Sequence, residues 1–172
     1  MRTLRAVLPI LGLAAAAALN AAVNPAARTV VVFDHPERFT DIKDAYTPTE
    51  KGQQANLDML RDYLVYVTGN QVPEGDRLTV TFTDIDLAGE YEPWHGPMAQ
   101  DVRFLRDVYP PAFKFTWTLT DASGKVLRSG KEDIRDVAYQ MRAVLDRADP
   151  LCYEKAILAD WARAALRGLK KG

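Results

Sequence analysis

The sequence predicts an α+β fold: a small, mostly antiparallel sheet, mixed if its first two strands are neighbours, with helices packed on one face. Three observations predict it. Residues 78–83 and 113–120 alternate apolar with polar side chains, the period of a strand with one buried face. Residues 57–67 and 151–165 instead repeat apolar side chains every three or four positions, the period of a helix. The order along the chain is strand, helix, strand, hairpin, helix, and no internal repeat interrupts it.

Thr29–Phe33 is β-branched and aromatic and runs into Asp34-His35-Pro36, a short buried strand ending in a turn. Thr47-Pro48-Thr49-Glu50 predicts a helix start, with Thr47 as N-cap, Pro48 at the first helical position and Glu50 closing a capping box. Leu57, Leu60, Leu64 and Val67 give that helix its apolar stripe, and Gly69-Asn70 is the expected left-handed terminator. After Pro73-Glu74-Gly75-Asp76, Leu78, Val80 and Phe82 alternate with threonines in a second strand. If the two strands pair, the intervening helix makes them parallel through a right-handed crossover. Phe113, Phe115, Trp117 and Leu119 alternate with polar residues, and Asp121-Ala122-Ser123-Gly124 turns the chain back over residues 125–129 in a β-hairpin. Residues 102–107 read as a short edge strand, stopped by Tyr109-Pro110-Pro111. Ile134, Val137, Met141 and Val144 are spaced as a further helix. Asp149-Pro150 opens a last one carrying Leu151, Leu158, Trp161 and Ala165, with Trp161 as its anchor on the sheet.

Residues 1–22 have the three-part form of a secretory signal: Arg2 and Arg5, an uncharged apolar run over residues 6–19, then small residues. The run falls short of the roughly 20 residues a helix needs to cross a bilayer. A cleaved signal peptide over residues 1–22, a periplasmic location and a single globular domain over residues 28–170 without a membrane span are therefore expected. No cysteine follows the run, so a lipid anchor has no attachment point there. The lone Cys152 cannot form an intramolecular disulfide, and the hydrophobic core must suffice in an oxidising compartment. Its place near a helix N-terminus would lower its pKa, but with no histidine nearby in sequence it is assigned no catalytic role. The formal charge is −1, and loss of Arg2 and Arg5 leaves 20 basic against 23 acidic residues, or −3. With lysines and arginines dispersed singly, no nucleic-acid partner is expected.

Residues 83–93 read T-D-I-D-L-A-G-E-Y-E-P, the densest knot of functional chemistry in the chain. Asp84 and Asp86 share the parity of Leu78, Val80 and Phe82, so a regular strand would bury both. A bulge near Thr83-Asp84 would instead return Ile85 and Leu87 to the core and turn both aspartates outward. Asp84, Asp86, Glu90 and Glu92 are candidates for acid/base work, which needs carboxyls with separated pKa values. A calcium loop fits at Asp84, Asp86 and Gly89 but fails at Ala88 and His95, where oxygen ligands are required. His35 and His95 are some sixty residues apart, which gives no zinc set. Neither Ser123 nor Ser129 sits in a nucleophile elbow, and no phosphate-cradling glycine motif occurs, so no cofactor is expected. Tyr91, Trp94 and His95 offer an aromatic ledge for a sugar ring or a peptide, although a tryptophan between prolines is expected to cap a core edge.

The run T-D-x-D-L-A-G-E resembles the bacterial domain of unknown function 3016 family. So do Arg38-Phe39-Thr40-Asp41, Asp101-Val102-Arg103, Pro110-Pro111, Gly124 with Gly130, Tyr153-Glu154-Lys155 and Asp160-Trp161. The resemblance implies an exported single-domain protein, typically of Gram-negative bacteria, with no assigned ligand, cofactor or catalytic residue. Arg103, in the D-x-R element, joins Asp84, Asp86, Glu90, Glu92 and Trp94 as the candidate interaction site. The expectation is a monomeric, non-enzymatic envelope protein that binds another envelope protein or a small ligand through the loop after the second strand. The alternatives are a carboxylate-dependent hydrolase acting on cell-wall or polysaccharide material and a divalent-cation binder.

Overall fold

In the computed structural model, which describes residues 28–169, the elements follow in the order β1 (Thr29–Phe33), α1 (Glu50–Gly69), β2 (Arg77–Asp86), β3 (Glu90–Tyr91), β4 (Arg103–Phe104), β5 (Ala112–Thr120), β6 (Val126–Arg135) and α2 (Cys152–Ala165). The expected signal peptide over residues 1–22 lies outside the described residues. The main sheet has the order β1-β2-β5-β6, parallel between β1 and β2 and antiparallel elsewhere, so it is mixed but mostly antiparallel. β3 and β4 form a separate two-stranded ribbon.

The alternation of β2 and β5 sets the core. Their register puts Leu78 beside Leu119, Val80 beside Trp117, Phe82 beside Phe115 and Ile85 beside Phe113, all buried. The Phe82 ring lies 5.0 Å from that of Phe115 and 5.6 Å from that of Phe33. Leu57, Leu60 and Leu64 of α1 and Leu158, Trp161 and Ala162 of α2 join the same cluster, so both helices cover this face. Trp161 meets Phe115 and Trp117 edge-on at 4.9 and 6.0 Å, the expected anchor. Each such side chain contributes about 1.5–3 kcal/mol by leaving water. Gly130 is required opposite Trp117, because a Cβ there would lie 2.5 Å from the indole nitrogen. The ring lies across the strand and donates to Glu132 Oε1 at 2.9 Å.

The ladder between β2 and β5 shifts between Phe82 and Asp84. This is the bulge, one of the two expected alternatives. It leaves Ile85 fully buried while Asp84 and Asp86 keep partial access to water. The extra residue, Thr83, donates its hydroxyl to Lys114 O at 3.2 Å.

Several boundaries differ from expectation. The N-cap of α1 is Thr49, not Thr47: its Oγ1 accepts from Gly52 N at 2.9 Å, and Asp44 fixes it by accepting from both Thr49 N and Thr49 Oγ1. The helix ends without a left-handed residue, since Asn70 has φ −92°. The Thr68 carbonyl accepts from Gln71 N and Val72 N instead. α2 begins at Cys152, two residues beyond Pro150, because Asp149 first closes a turn by accepting from Leu151 N. β4 pairs with β3 rather than lengthening the main sheet.

The helix expected through Ile134, Val137, Met141 and Val144 does not form. β6 continues to Arg135, with Ile134 beside Phe113 and Arg135 beside Ala112, and only a 3-10 turn, Tyr139–Met141, follows. The nine-residue β5 offers ladder partners along its whole length, which outweighs four apolar residues at helical spacing. Val137 and Met141 are exposed, and the buried side chain of this segment is Tyr139.

Candidate functional site

The acidic run after the bulge is first a junction. Asp84 accepts from Thr40 N at 2.8 Å, from Thr40 Oγ1 at 3.1 Å and from Lys114 Nζ at 3.3 Å. Partial burial opposes its charge, but these donors outweigh that and lower its pKa. Asp86 goes the other way. Burial raises its pKa, the nearby carboxylates of Asp41, Asp84 and Glu90 add to the rise, and Arg135 at 3.6 Å only partly offsets it. Glu90 is half-exposed, 3.7 Å from Lys43 Nζ, and accepts from Tyr91 N.

Leu87 then donates to Asp41 O, while Asp41 N donates to Ile85 O, so the segment before α1 runs as a short parallel extension beside β2. Gly89 has φ +79°, and a Cβ there would lie 2.7 Å from Phe104 O. Only glycine combines that left-handed turn with such close backbone approach. The turn exposes the carbonyls of Ala88 and Gly89 to Arg103. Arg103 Nη1 donates to Asp41 Oδ2 at 2.7 Å and to Gly89 O at 2.9 Å, Nη2 donates to Lys43 O at 3.0 Å, and the guanidinium lies 4.6 Å over the Tyr91 ring. Burial opposes its charge, but the buried Asp41 more than offsets that and raises its pKa. One side chain thereby ties β4, the loop after β2 and the segment before α1.

Glu92 sits in a second knot. It is buried, with Arg106 Nη2 and His95 Nε2 each 2.7 Å from Oε2 and the Tyr109 hydroxyl donating to Oε1 at 3.1 Å. Burial would raise its pKa, but these partners outweigh it and lower it; the Tyr109 hydroxyl is raised, by burial and by that bond. Trp94 corrects an expectation. It caps no core edge but stands 69% exposed, beside His95, whose ring stacks on Phe104 at 4.7 Å. Tyr91, expected in the same ledge, is buried under Arg103.

Beside the Arg103 junction lies a cleft of about 600 Å³, between the loop after β2, the segment before α1 and the start of α2. Leu87, Ala88, Tyr91 and Leu151 form its apolar wall; Lys43, Asp101, Arg103 and Arg147 supply charge. Of the six candidate residues only Arg103 lines it, and Asp84, Asp86, Glu90, Glu92 and Trp94 do not. The residue the sequence reading passed over is Glu154. It lines the cleft, is 1% exposed, and its Oε1 accepts from Ala88 N at 2.6 Å, while Oε2 is buried without a protein partner. Burial raises its pKa, against the pull of the Ala88 amide and of Arg103. A signal was present: Glu154 falls on the apolar stripe of α2, three residues after Leu151 and four before Leu158. Cys152, also in the cleft, has its thiol pKa raised by burial and by Glu154 and Asp149, so the lowering expected from the helix N-terminus is overturned. Among the described residues no cluster of three or more His, Cys, Asp or Glu could hold a metal ion. No described helix is long and apolar enough to cross a membrane.

A small mixed sheet covered on one face by two helices, with a half-polar cleft at the end of its longest buried strand, defines an α+β domain with a ligand-sized concavity. The chain belongs to the family described as protein of unknown function (DUF3016), whose model matches residues 27–164. No curated protein and no solved structure matches it.

Proposed function

We propose that the chain is an exported, periplasmic protein of the cell envelope that binds a partner or small ligand without transforming it, through the cleft beside the loop after β2. One observation carries the reading: Glu154, which lines that cleft, is a fully buried carboxyl whose Oε2 has no protein partner. Buried polar atoms are normally hydrogen-bonded, and an orphan costs about 1–3 kcal/mol, more when charged. A group kept at that cost in a concave, partly apolar site is the mark of a place reserved for a ligand. Export and periplasmic placement are supported by the sequence of residues 1–22. Thermal melts against a panel of small envelope metabolites are expected to give a rise for the wild type that is lost in Glu154→Gln. Osmotic-shock fractionation is expected to release the protein with the periplasm. Retention in the cytoplasm, or identical ligand shifts in both proteins, would contradict the reading.

The hydrolase is the second reading, and one observation favours it. Glu154 has the burial-raised pKa of a general acid. That reading needs a second carboxyl across the cleft, about 5 Å away for a retaining enzyme or about 6.5–9.5 Å for an inverting one. Turnover of polysaccharide or wall fragments, abolished in Glu154→Gln, would decide for it.

A further inference from the structure

We propose that the cleft takes an organic amine, whose ammonium group pairs with Glu154 Oε2 at the buried end and whose apolar body lies against Leu87, Leu105 and Leu151. The proposal rests on the cleft being a binding site and adds the chemistry of the ligand. Glu154 Oε1 is spent on Ala88 N, so Oε2 is the atom left to a ligand. Of the cations that line the cleft, two are engaged elsewhere, Arg103 by Asp41, Gly89 O and Lys43 O, and Lys43 by Glu90, while Arg147 is exposed. Two other acids that line the cleft are also engaged, Asp44 by Thr49 and Asp149 by Lys155 at 2.5 Å. What the cleft lacks at its buried end is therefore one positive charge. An anion would meet Glu154, Asp101 and Asp149 with Arg103 already taken, and would find only the exposed Arg147 to pair with.

The walls choose the rest of the molecule. Leu87 and Leu151 are buried and Leu105 is half open, giving a hydrocarbon surface beside the carboxyl. The volume suits a ligand of metabolite size. Four groups act on or beside Glu154: Arg103 from β4, Asp149 ahead of α2, Cys152 on α2 and Tyr139 from the 3-10 turn. Of these only Arg103 is a cation, and it is balanced by Asp41. Because burial favours the protonated carboxyl, an arriving ammonium group drives a proton off Glu154 into solvent.

Three probes with the same phenyl body separate the outcomes: phenethylamine, phenethyl alcohol and hydrocinnamate, titrated into the full mature chain and followed by amide NMR. The amine is expected to shift the Ala88 and Glu154 amides and to bind at least about tenfold more tightly than the alcohol, with hydrocinnamate weakest. Glu154→Gln is expected to weaken the amine about tenfold and leave the alcohol unchanged. Should that variant fail to fold, the wild type gives the same information, since amine affinity is expected to rise with pH as Glu154 ionises, with proton release in calorimetry. If the alcohol or hydrocinnamate binds these amides as tightly as the amine, the cleft stands as a site and the amine does not. If none of the three shifts either amide, both proposals fall.

Discussion

The helix-covered sheet and the junction at the end of β2 are held together by opposite means. In the first, Phe82, Phe113, Phe115 and Trp161 pack ring against ring, and many side chains each contribute a modest share. In the second, single charged side chains hold segments far apart in sequence: Arg103 reaches Asp41, 62 residues away, and Glu154 reaches Ala88, 66 residues away. The apolar region spreads its stability and tolerates the loss of any one contact in proportion to the area removed. The polar region concentrates it, because a buried charge that loses its partner is worse than no charge at all. Each region leaves one buried atom unpaired among the described residues, Trp161 Nε1 in the apolar one and Glu154 Oε2 in the polar one, but only Glu154 is ionisable and lines the cleft.

The largest effect is expected from the apolar side. Phe82→Ala should cost about 3–5 kcal/mol in urea unfolding, from lost transfer energy and the cavity left behind. A cost below about 1 kcal/mol would mean that Phe82 does not hold the core centre. Next, Arg103→Met should cost about 3 kcal/mol by stranding Asp41. In a double-mutant cycle with Asp41→Leu the two changes together should cost clearly less than their sum; additivity would show that the pair is not the tie between the segments. Smaller still, Gly89→Ala is expected to cost about 2 kcal/mol, from the positive φ and the approach of Phe104 O. An effect near zero would show that the turn relaxes freely.

The same contrast explains what could be read from the sequence. Alternation and helical spacing report burial of apolar surface, so β1, β2, β5, both helices and the Trp161 anchor were legible, as was the parity break that locates the bulge. Spacing misled at Ile134, Val137, Met141 and Val144, where a long neighbouring strand overrode a local pattern. Charged side chains carry no comparable period. The acidic run showed where the junction lies, but not that Asp84 is tied to Thr40 and Lys114 or that Glu92 is closed in by Arg106, His95 and Tyr109. Those partnerships join residues up to 44 positions apart. Glu154 was hidden differently: it reads as one more charge on an amphipathic helix until its place on the apolar stripe is noticed.

If Glu154 is held at a cost to stability for the sake of the cleft, the cost is visible in how stability varies with pH. Its pKa is raised in the folded state above the ordinary carboxylate value of about 4.3. Between the unfolded and folded values the native protein binds the extra proton, so this group makes stability fall as pH rises through that window. Glu154→Gln keeps an oxygen to accept from Ala88 N and removes the charge. In urea unfolding the variant should be more stable than the wild type at neutral pH, with the advantage shrinking toward zero as the pH drops below about 4. A variant less stable than the wild type at neutral pH, by the same margin as in acid, would mean that Glu154 is a satisfied structural carboxyl and that the cleft is not reserved for a ligand.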